Sequence, residues 1–139
     1  MPQPPNRNQQ TRNWLQKSTI DLMSARRLVG EPPLLDPACF FSQQAVEKAL
    51  KAFLVWHGKF IDKTHDIGRL AIEVLRLDPS LESLLKRATR LSPFAVVFRY
   101  PSDDFPTSTP TPQETSDALA LAEEVYREIL KRLPNESHP

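Results

Sequence analysis

The sequence has little glycine and almost no cysteine. Only three of its 139 residues are glycine and one, Cys39, is cysteine. Phosphate cradles of the P-loop and dinucleotide-binding types need clustered glycines, so both are excluded. A single cysteine excludes an internal disulfide and a multi-thiolate metal site. There is also no HExxH pattern among the three histidines, so we expect no metal.

The sequence also lacks an excess of charge of either sign and any long apolar run. Eighteen Lys and Arg residues face 17 Asp and Glu residues, which gives a net charge of +1. This balance excludes a bulk electrostatic affinity for nucleic acid or membrane but leaves room for a local patch. No apolar run reaches the 18 residues that a membrane helix needs. Residues 1–10 lack the apolar core of a signal peptide, so we expect a cytoplasmic protein.

Proline is abundant, and its 14 positions divide the chain. The Pro- and Gln-rich start predicts a disordered arm over 1–12. Apolar spacings of three and four residues, together with Asp-Pro and capping-box signals, predict helices up to Pro134. A flexible tail is expected over 134–139. The predicted helices cover 13–29, 36–57, 64–76, 78–91 and 111–133.

These elements predict an all-α fold, an up-and-down bundle of four to five helices within a single domain over 13–133. The second helix is apolar on most of its surface, which indicates a central helix with apolar area left over for a dimer. Glu47 and Lys51 are expected to form an i,i+4 ion pair on its polar side. The apolar run 94–98 is expected to be a buried irregular or short helical segment, and 101–112 an exposed loop.

Two charged residues stand out against apolar surroundings. Asp21 lies near the apolar stripe of the first helix and therefore needs a partner. Arg99 follows five apolar residues and precedes Tyr100. Arg99 either pairs with a buried carboxylate such as Asp21 or contacts a phosphate or nucleotide.

The histidines have simpler explanations. His57 lies in the last turn of the second helix. There we expect it to be a cation that the helix dipole stabilises. His65, at the start of the third helix, is expected to cap and anchor the preceding loop, and His138 to be solvated in the tail. The residues alone predict no catalytic residue.

Several segments together resemble one known family. They are Trp14-x6-Asp21-Leu22 in the first helix, the run from Phe41 to Ala52 (FSQQAVEKALKA) in the second, Lys63-Thr64-His65-Asp66, and Phe98-Arg99-Tyr100-Pro101. The sequence is similar to the HEPN domain, the "higher eukaryotes and prokaryotes nucleotide-binding" domain. The resemblance implies a helical bundle that forms a homodimer. It also implies a minimal nucleotidyltransferase as partner, often in a toxin–antitoxin pair.

The resemblance also bears on chemistry. Ribonuclease members carry an arginine followed four to six residues later by histidine. Arg99 matches the arginine, but no histidine occurs between Tyr100 and Pro106. The resemblance therefore implies a binding module with a possible nucleotide or RNA ligand and no other cofactor. Its candidate phosphate-binding residues are Arg99, Tyr100, Asp21, Lys48 and His65.

Two alternatives remain open. One is a toxin-like, metal-independent endoribonuclease in which His57 or His65 supplies the proton carrier. The other is a purely structural helical subunit with Arg99 and Asp21 as an ion pair of the core.

Overall fold

A computed structural model describes residues 6–59, 63–95 and 109–139. Within these ranges the chain is helical and contains no strand, which confirms the all-α prediction. No helix there is long and apolar enough to cross a bilayer. The α-helices are α1 (Arg7–Leu28), α2 (Leu35–Trp56), α3 (Ile67–Leu77), α4 (Glu82–Ala88) and α5 (Pro112–Lys131), with 3-10 turns at Pro79–Leu81, Thr89–Ala95 and Asn135–Ser137.

The first helix begins well before its predicted start. The side chain of Asn6 accepts hydrogen bonds from the backbone N–H groups of Asn8 and Gln9, so it caps the helix at Arg7. Such a cap satisfies donors that the first turn leaves unpaired. The prediction of a disordered arm is therefore wrong for residues 7–12, while residues 1–5 lie outside the described residues.

The C-terminal residues pack against the bundle rather than forming a flexible tail. Ser137 is buried. The His138 Nε2 atom donates to the carbonyl oxygen of Leu130 over 2.9 Å. The guanidinium group of Arg12 in α1 donates to the carbonyl oxygens of Glu136 and His138. The expectations of a flexible tail and of a solvated His138 are wrong, because these backbone and side-chain groups find partners on α1 and α5.

The second helix is the central element, and its apolar surface is used inside the monomer. It contacts α1, α3, α5 and the 3-10 turn at Thr89–Ala95. Its apolar side chains from Ala45 to Leu54 are almost fully buried. The stretch from Ala45 to Leu54 therefore leaves no apolar area for a dimer, whereas Phe40, Phe41, Val55 and Trp56 of the same helix are half-buried. The exposed large apolar residues of the described ranges lie elsewhere: Ile20, Met23, Val29, Leu34 and Ile72.

The remaining boundaries follow local capping. Asp66 accepts from the N–H groups of the first turn of α3, which makes that helix begin at Ile67 rather than Thr64. The predicted fourth helix is an α-helix of one to two turns flanked by two 3-10 turns. The capping box of Thr111 and Glu114 is confirmed. The run 94–98 is described only as far as Ala95, where it is helical, and the loop 101–112 only from residue 109.

Candidate functional site

The helices α1 and α2 run antiparallel, and a cation of each helix lies against a tryptophan of the other. The Arg7 guanidinium lies 6.0 Å from the ring centroid of Trp56. In the opposite direction, the Lys51 ammonium lies 5.3 Å from the ring centroid of Trp14. Beyond the Trp14 contact along α1, the Ser18 hydroxyl donates to the carbonyl oxygen of Ala45 over 2.7 Å. Each helix therefore presents one tryptophan and one cation to the other.

Asp21 has a lysine as its partner in this interface. The Lys48 Nζ atom lies 2.7 Å from Asp21 Oδ2, and the Asp21 side chain is only 7% exposed. Burial raises the pKa of the Asp21 carboxyl, although the hydrogen bond and the charge of Lys48 lower it. Lys48 thus supplies the cation for which the sequence suggested Arg99, and Arg99 lies outside the described residues.

Glu47, the residue before Lys48 on α2, is the centre of a second charged cluster. Its Oε1 atom lies 2.8 Å from Lys51 Nζ and 2.7 Å from His65 Nδ1. The predicted i,i+4 ion pair of Glu47 and Lys51 is therefore confirmed, but its side chains are only 2% and 6% exposed, so it is buried rather than on the polar side of α2. The other carboxylate atom, Glu47 Oε2, is buried and has no hydrogen-bond partner among the described residues.

His65 reaches this cluster from the connection between α2 and α3. Gln43 donates through Nε2 to the His65 carbonyl oxygen over 3.3 Å, while Glu47 holds the ring at Nδ1. The His65 side chain is nevertheless 72% exposed. Gln43, Glu47 and Lys51 recur every four residues, so one stripe of α2 fixes both the backbone and the ring of His65.

A groove lies beside these charged groups, and we call it the α1–α2 groove. It has a volume of about 670 Å³. It is lined by Asn13, Trp14, Gln16, Lys17, Ile20 and Lys48. The lining combines two ammonium groups, which suit a phosphate, with an aromatic side chain, which suits a base. Trp14 also lies under Lys51, so the groove and the Glu47 cluster share a wall.

The structure thus brings together three of the five predicted site residues. Asp21 and Lys48 form one pair, and His65 belongs to the neighbouring cluster. Arg99 and Tyr100 lie outside the described residues. The sequence reasoning did not assign Trp14, Lys17 or Glu47 to the site, although Asn13, Gln16, Lys17 and Ile20 share one face of α1 by spacing.

Other titratable groups have structural environments. Partial burial, followed by the charges of Arg7 and Lys59, lowers the pKa of His57. This lowering disfavours the cationic His57 that was expected at the end of α2. Burial raises the pKa of the Cys39 thiol, which suits packing rather than reactivity. The described ranges contain no group of three or more side chains that could hold a metal ion.

Comparisons with known proteins agree with this architecture. The chain is similar to TT1696 from Thermus thermophilus, with 28% identity, a TM-score of 0.77, and coverage of 90% of this chain and 99% of that chain. It shares the fold of ST0689, an archaeal HEPN homologue, with 22% identity, a TM-score of 0.67, and coverage of 88% and 96%. No curated protein matches the sequence. The model of the HEPN domain matches residues 11–133, and the chain therefore belongs to the HEPN domain family.

Proposed function

We propose that this HEPN protein is a binding module whose α1–α2 groove takes the phosphate of a nucleotide or RNA. One observation carries the proposal. Lys48 is anchored by the buried Asp21 yet remains 24% exposed, and it lines the groove together with Lys17 and Trp14. Anchoring fixes the position of the ammonium group before a ligand arrives, which lowers the ordering cost of binding.

The charges in the groove set the expected strength of binding. An ammonium group has three donors, so Lys48 can contact Asp21 and still donate to a phosphate. Asp21 balances the charge of Lys48, which leaves Lys17 as the main source of attraction. Trp14 adds a stacking surface worth about 1–3 kcal/mol per base. We therefore expect a modest affinity that weakens with salt.

The test is binding of a labelled single-stranded RNA followed by fluorescence anisotropy. Lys17 is exposed on α1, so Lys17→Glu should leave the fold intact and lower the affinity about tenfold. Lys86→Glu makes the same charge change at an exposed position on α4 and should have little effect. Equal losses in both variants would indicate attraction by overall charge alone. No binding by the wild type would refute the proposal.

A second candidate, metal-independent RNA cleavage, is favoured by the geometry of His65. The carboxylate of Glu47 holds Nδ1, while most of the ring is exposed, as a proton carrier requires. RNA cleavage in EDTA should be compared for the wild type, His65→Ala and Arg99→Ala, with folding checked by circular dichroism. Cleavage that is lost in folded His65→Ala would support an enzyme. If none of the three proteins cleaves RNA, the enzyme would be refuted and the binding module would remain as the proposed function.

We also propose that the protein acts as a homodimer. Met23 is 43% exposed on α1, outside the lining of the groove, and apolar exposure of this kind favours an interface. Light scattering should report a dimer for the wild type. Met23→Glu, outside the groove lining, should shift it towards monomer, and Ile72→Glu, on α3, should not. A wild type that is monomeric at all micromolar concentrations would contradict the proposal.

A partner chain completes the proposal. The family resemblance suggests a minimal nucleotidyltransferase, as in a toxin–antitoxin pair. Co-expression of a tagged copy of this chain with such a protein from the same genome should give a complex that survives gel filtration. Separate elution of the two chains would argue against this partner.

A further inference from the structure

Lys48 has two kinds of acceptor at the α1–α2 groove, one inside the protein and one in a ligand. Its Nζ atom lies 2.7 Å from Asp21 Oδ2, and the side chains of Lys48 and Asp21 are 24% and 7% exposed. Lys48 also lines the groove, whereas Asp21 is buried. A carboxylate and a phosphate both accept hydrogen bonds from an ammonium group. Asp21 is therefore placed to compete with an anionic ligand for Lys48.

The charge of Asp21 decides how much of the Lys48 charge acts on a ligand. While Asp21 is ionised, the two charges of the pair oppose each other, and Lys17 supplies the other positive charge of the lining. When Asp21 binds a proton, its carboxyl group can still accept a hydrogen bond from Lys48, but the ammonium group loses its counterion. A partly buried charge is screened less than a charge in water. The groove then presents the charges of both lysines to a phosphate.

The surroundings of Asp21 favour its neutral form. Burial, the largest effect, raises the pKa of its carboxyl, and the charge of Glu47 on α2 raises this pKa further. The hydrogen bond and charge of Lys48 and the charge of Lys17 act in the opposite direction. A phosphate bound at Lys48 brings a negative charge close to Asp21 and should raise the pKa again. By linkage, protonation of Asp21 then strengthens phosphate binding by the same factor.

We propose that Asp21 is an internal competitor of the ligand, so that the α1–α2 groove binds phosphate more tightly when Asp21 is protonated. This inference rests on the proposed function of the groove and adds its regulation. The released charge of Lys48 corresponds to about one additional phosphate contact. Such a contact increases the affinity about three- to tenfold, and it makes the slope of log K against log salt steeper by about 0.7 for a single strand.

The first experiment uses Asp21→Asn as a mimic of the protonated state. The asparagine amide oxygen can still accept a hydrogen bond from Lys48, but the negative charge is gone. Anisotropy of a labelled oligouridine RNA at neutral pH and several salt concentrations measures the effect, with folding checked by circular dichroism. Asp21→Asn should bind about three- to tenfold more tightly than the wild type, with the steeper salt dependence.

The matched control is Asp78→Asn. It makes the same chemical change in another ion pair with a distance of 2.7 Å, that of Asp78 with Arg132. Neither residue lines the groove. Asp78→Asn should therefore leave both the affinity and its salt dependence unchanged. An equal gain in Asp78→Asn and Asp21→Asn would show that overall charge, and not competition for Lys48, sets the affinity, and would overturn the inference.

The second experiment lowers the pH from about 7 to about 5. Uracil and the phosphodiester group take up no proton in this range, so the oligouridine itself stays unchanged. Protonation of histidines strengthens binding in the wild type and in Asp21→Asn alike, and the ratio of the two affinities isolates Asp21. The two affinities should converge as the pH falls, because the wild type gains the proton that the asparagine mimics. A ratio that stays constant would overturn control of the groove by acid.

The outcomes separate this inference from the proposed function of the groove. Suppose that Lys17→Glu weakens RNA binding while Asp21→Asn leaves the affinity and the salt dependence unchanged. The groove would then stand, and the competition by Asp21 would be overturned. A lower affinity in folded Asp21→Asn would also overturn it, because anchoring of Lys48 would then outweigh competition. No binding of RNA by any of these proteins would overturn both proposals.

Discussion

Two aspartates of this chain each lie 2.7 Å from a cation, and their pKa values move in opposite directions. The pKa of Asp21, paired with Lys48 between α1 and α2, is raised by burial. The pKa of Asp78, paired with Arg132 beside the end of α5, is lowered by hydrogen bonds from Ser80 and Arg132. The difference teaches that the surroundings of an ion pair, rather than its length, decide its energetics.

The two regions differ in solvent access. The Asp78 and Arg132 side chains are 25% and 26% exposed. Water therefore solvates both charges, and this pair contributes little to the free energy of unfolding. Between α1 and α2, the charges of Glu47 and Lys51 are nearly inaccessible. A buried pair contributes little net stability when intact, because desolvation offsets the attraction, yet it is costly to break.

The largest expected effect comes from removing one member of the buried pair. Glu47→Ala leaves the Lys51 ammonium without its counterion and should lower the free energy of unfolding by about 3–5 kcal/mol. Urea denaturation measures this change. The double variant Glu47→Met with Lys51→Met should recover most of the loss. If Glu47→Ala lowered the free energy of unfolding by less than about 1 kcal/mol, Lys51 would be as well solvated as the surface cations.

A smaller effect is expected at Asp21. Asp21→Asn removes a charge-assisted hydrogen bond, and Lys48 can regain solvent, so the cost at neutral pH should be about 1 kcal/mol. The folded-state pKa of Asp21 lies above its ordinary value of 3.8, so the folded protein binds this proton more tightly than the unfolded chain.

The contribution of Asp21 should therefore rise as the pH falls through the folded-state pKa towards 3.8. Urea denaturation of the wild type and Asp21→Asn across this window tests the sign. If the wild type lost stability relative to Asp21→Asn as the pH falls, the result would contradict the raised pKa of Asp21.

The smallest effect is expected at the solvated pair of Asp78 and Arg132. Arg132→Ala should lower the free energy of unfolding by less than about 1 kcal/mol, and added salt should reduce the difference. The folded-state pKa of Asp78 lies below 3.8, so its stabilising contribution is present above that pH. It should be lost as the pH falls through the folded-state value. If Arg132→Ala lowered the free energy of unfolding more in acid than at neutral pH, the result would contradict the lowered pKa of Asp78.

The sequence predicted the elements of the fold better than their ends. Thr111 stands where threonine caps a helix, and apolar spacing identified α3 and α5, whereas the Asp66 cap of α3 was missed. The start of α1 was missed, because Asn6 caps the helix next to a Pro-rich segment that indicated disorder. Such a cap becomes decisive only when the helix also gains tertiary contacts, here those of Arg12 with the C-terminal carbonyl groups.

The site was less predictable than the fold. Lys48 and His65 came from the family resemblance, and helical spacing alone placed Glu47 and Lys51 on a polar face. Spacing describes one helix, whereas the burial of Glu47 depends on α1 and on the path of the chain through His65. The one available signal was the recurrence of Gln43, Glu47 and Lys51 every four residues, a polar stripe along an otherwise apolar helix.

The exchange of cations and tryptophans between α1 and α2 has a spectroscopic consequence. The chain has two tryptophans, and each lies against a cation of the opposite helix. Intrinsic tryptophan emission therefore reports on this helix pair alone. Trp14 lines the groove, whereas Trp56 lies beside Arg7 at the other end of the helix pair. A Trp56→Phe protein would thus carry a single natural fluorophore in the wall of the groove, where a stacked base would quench it.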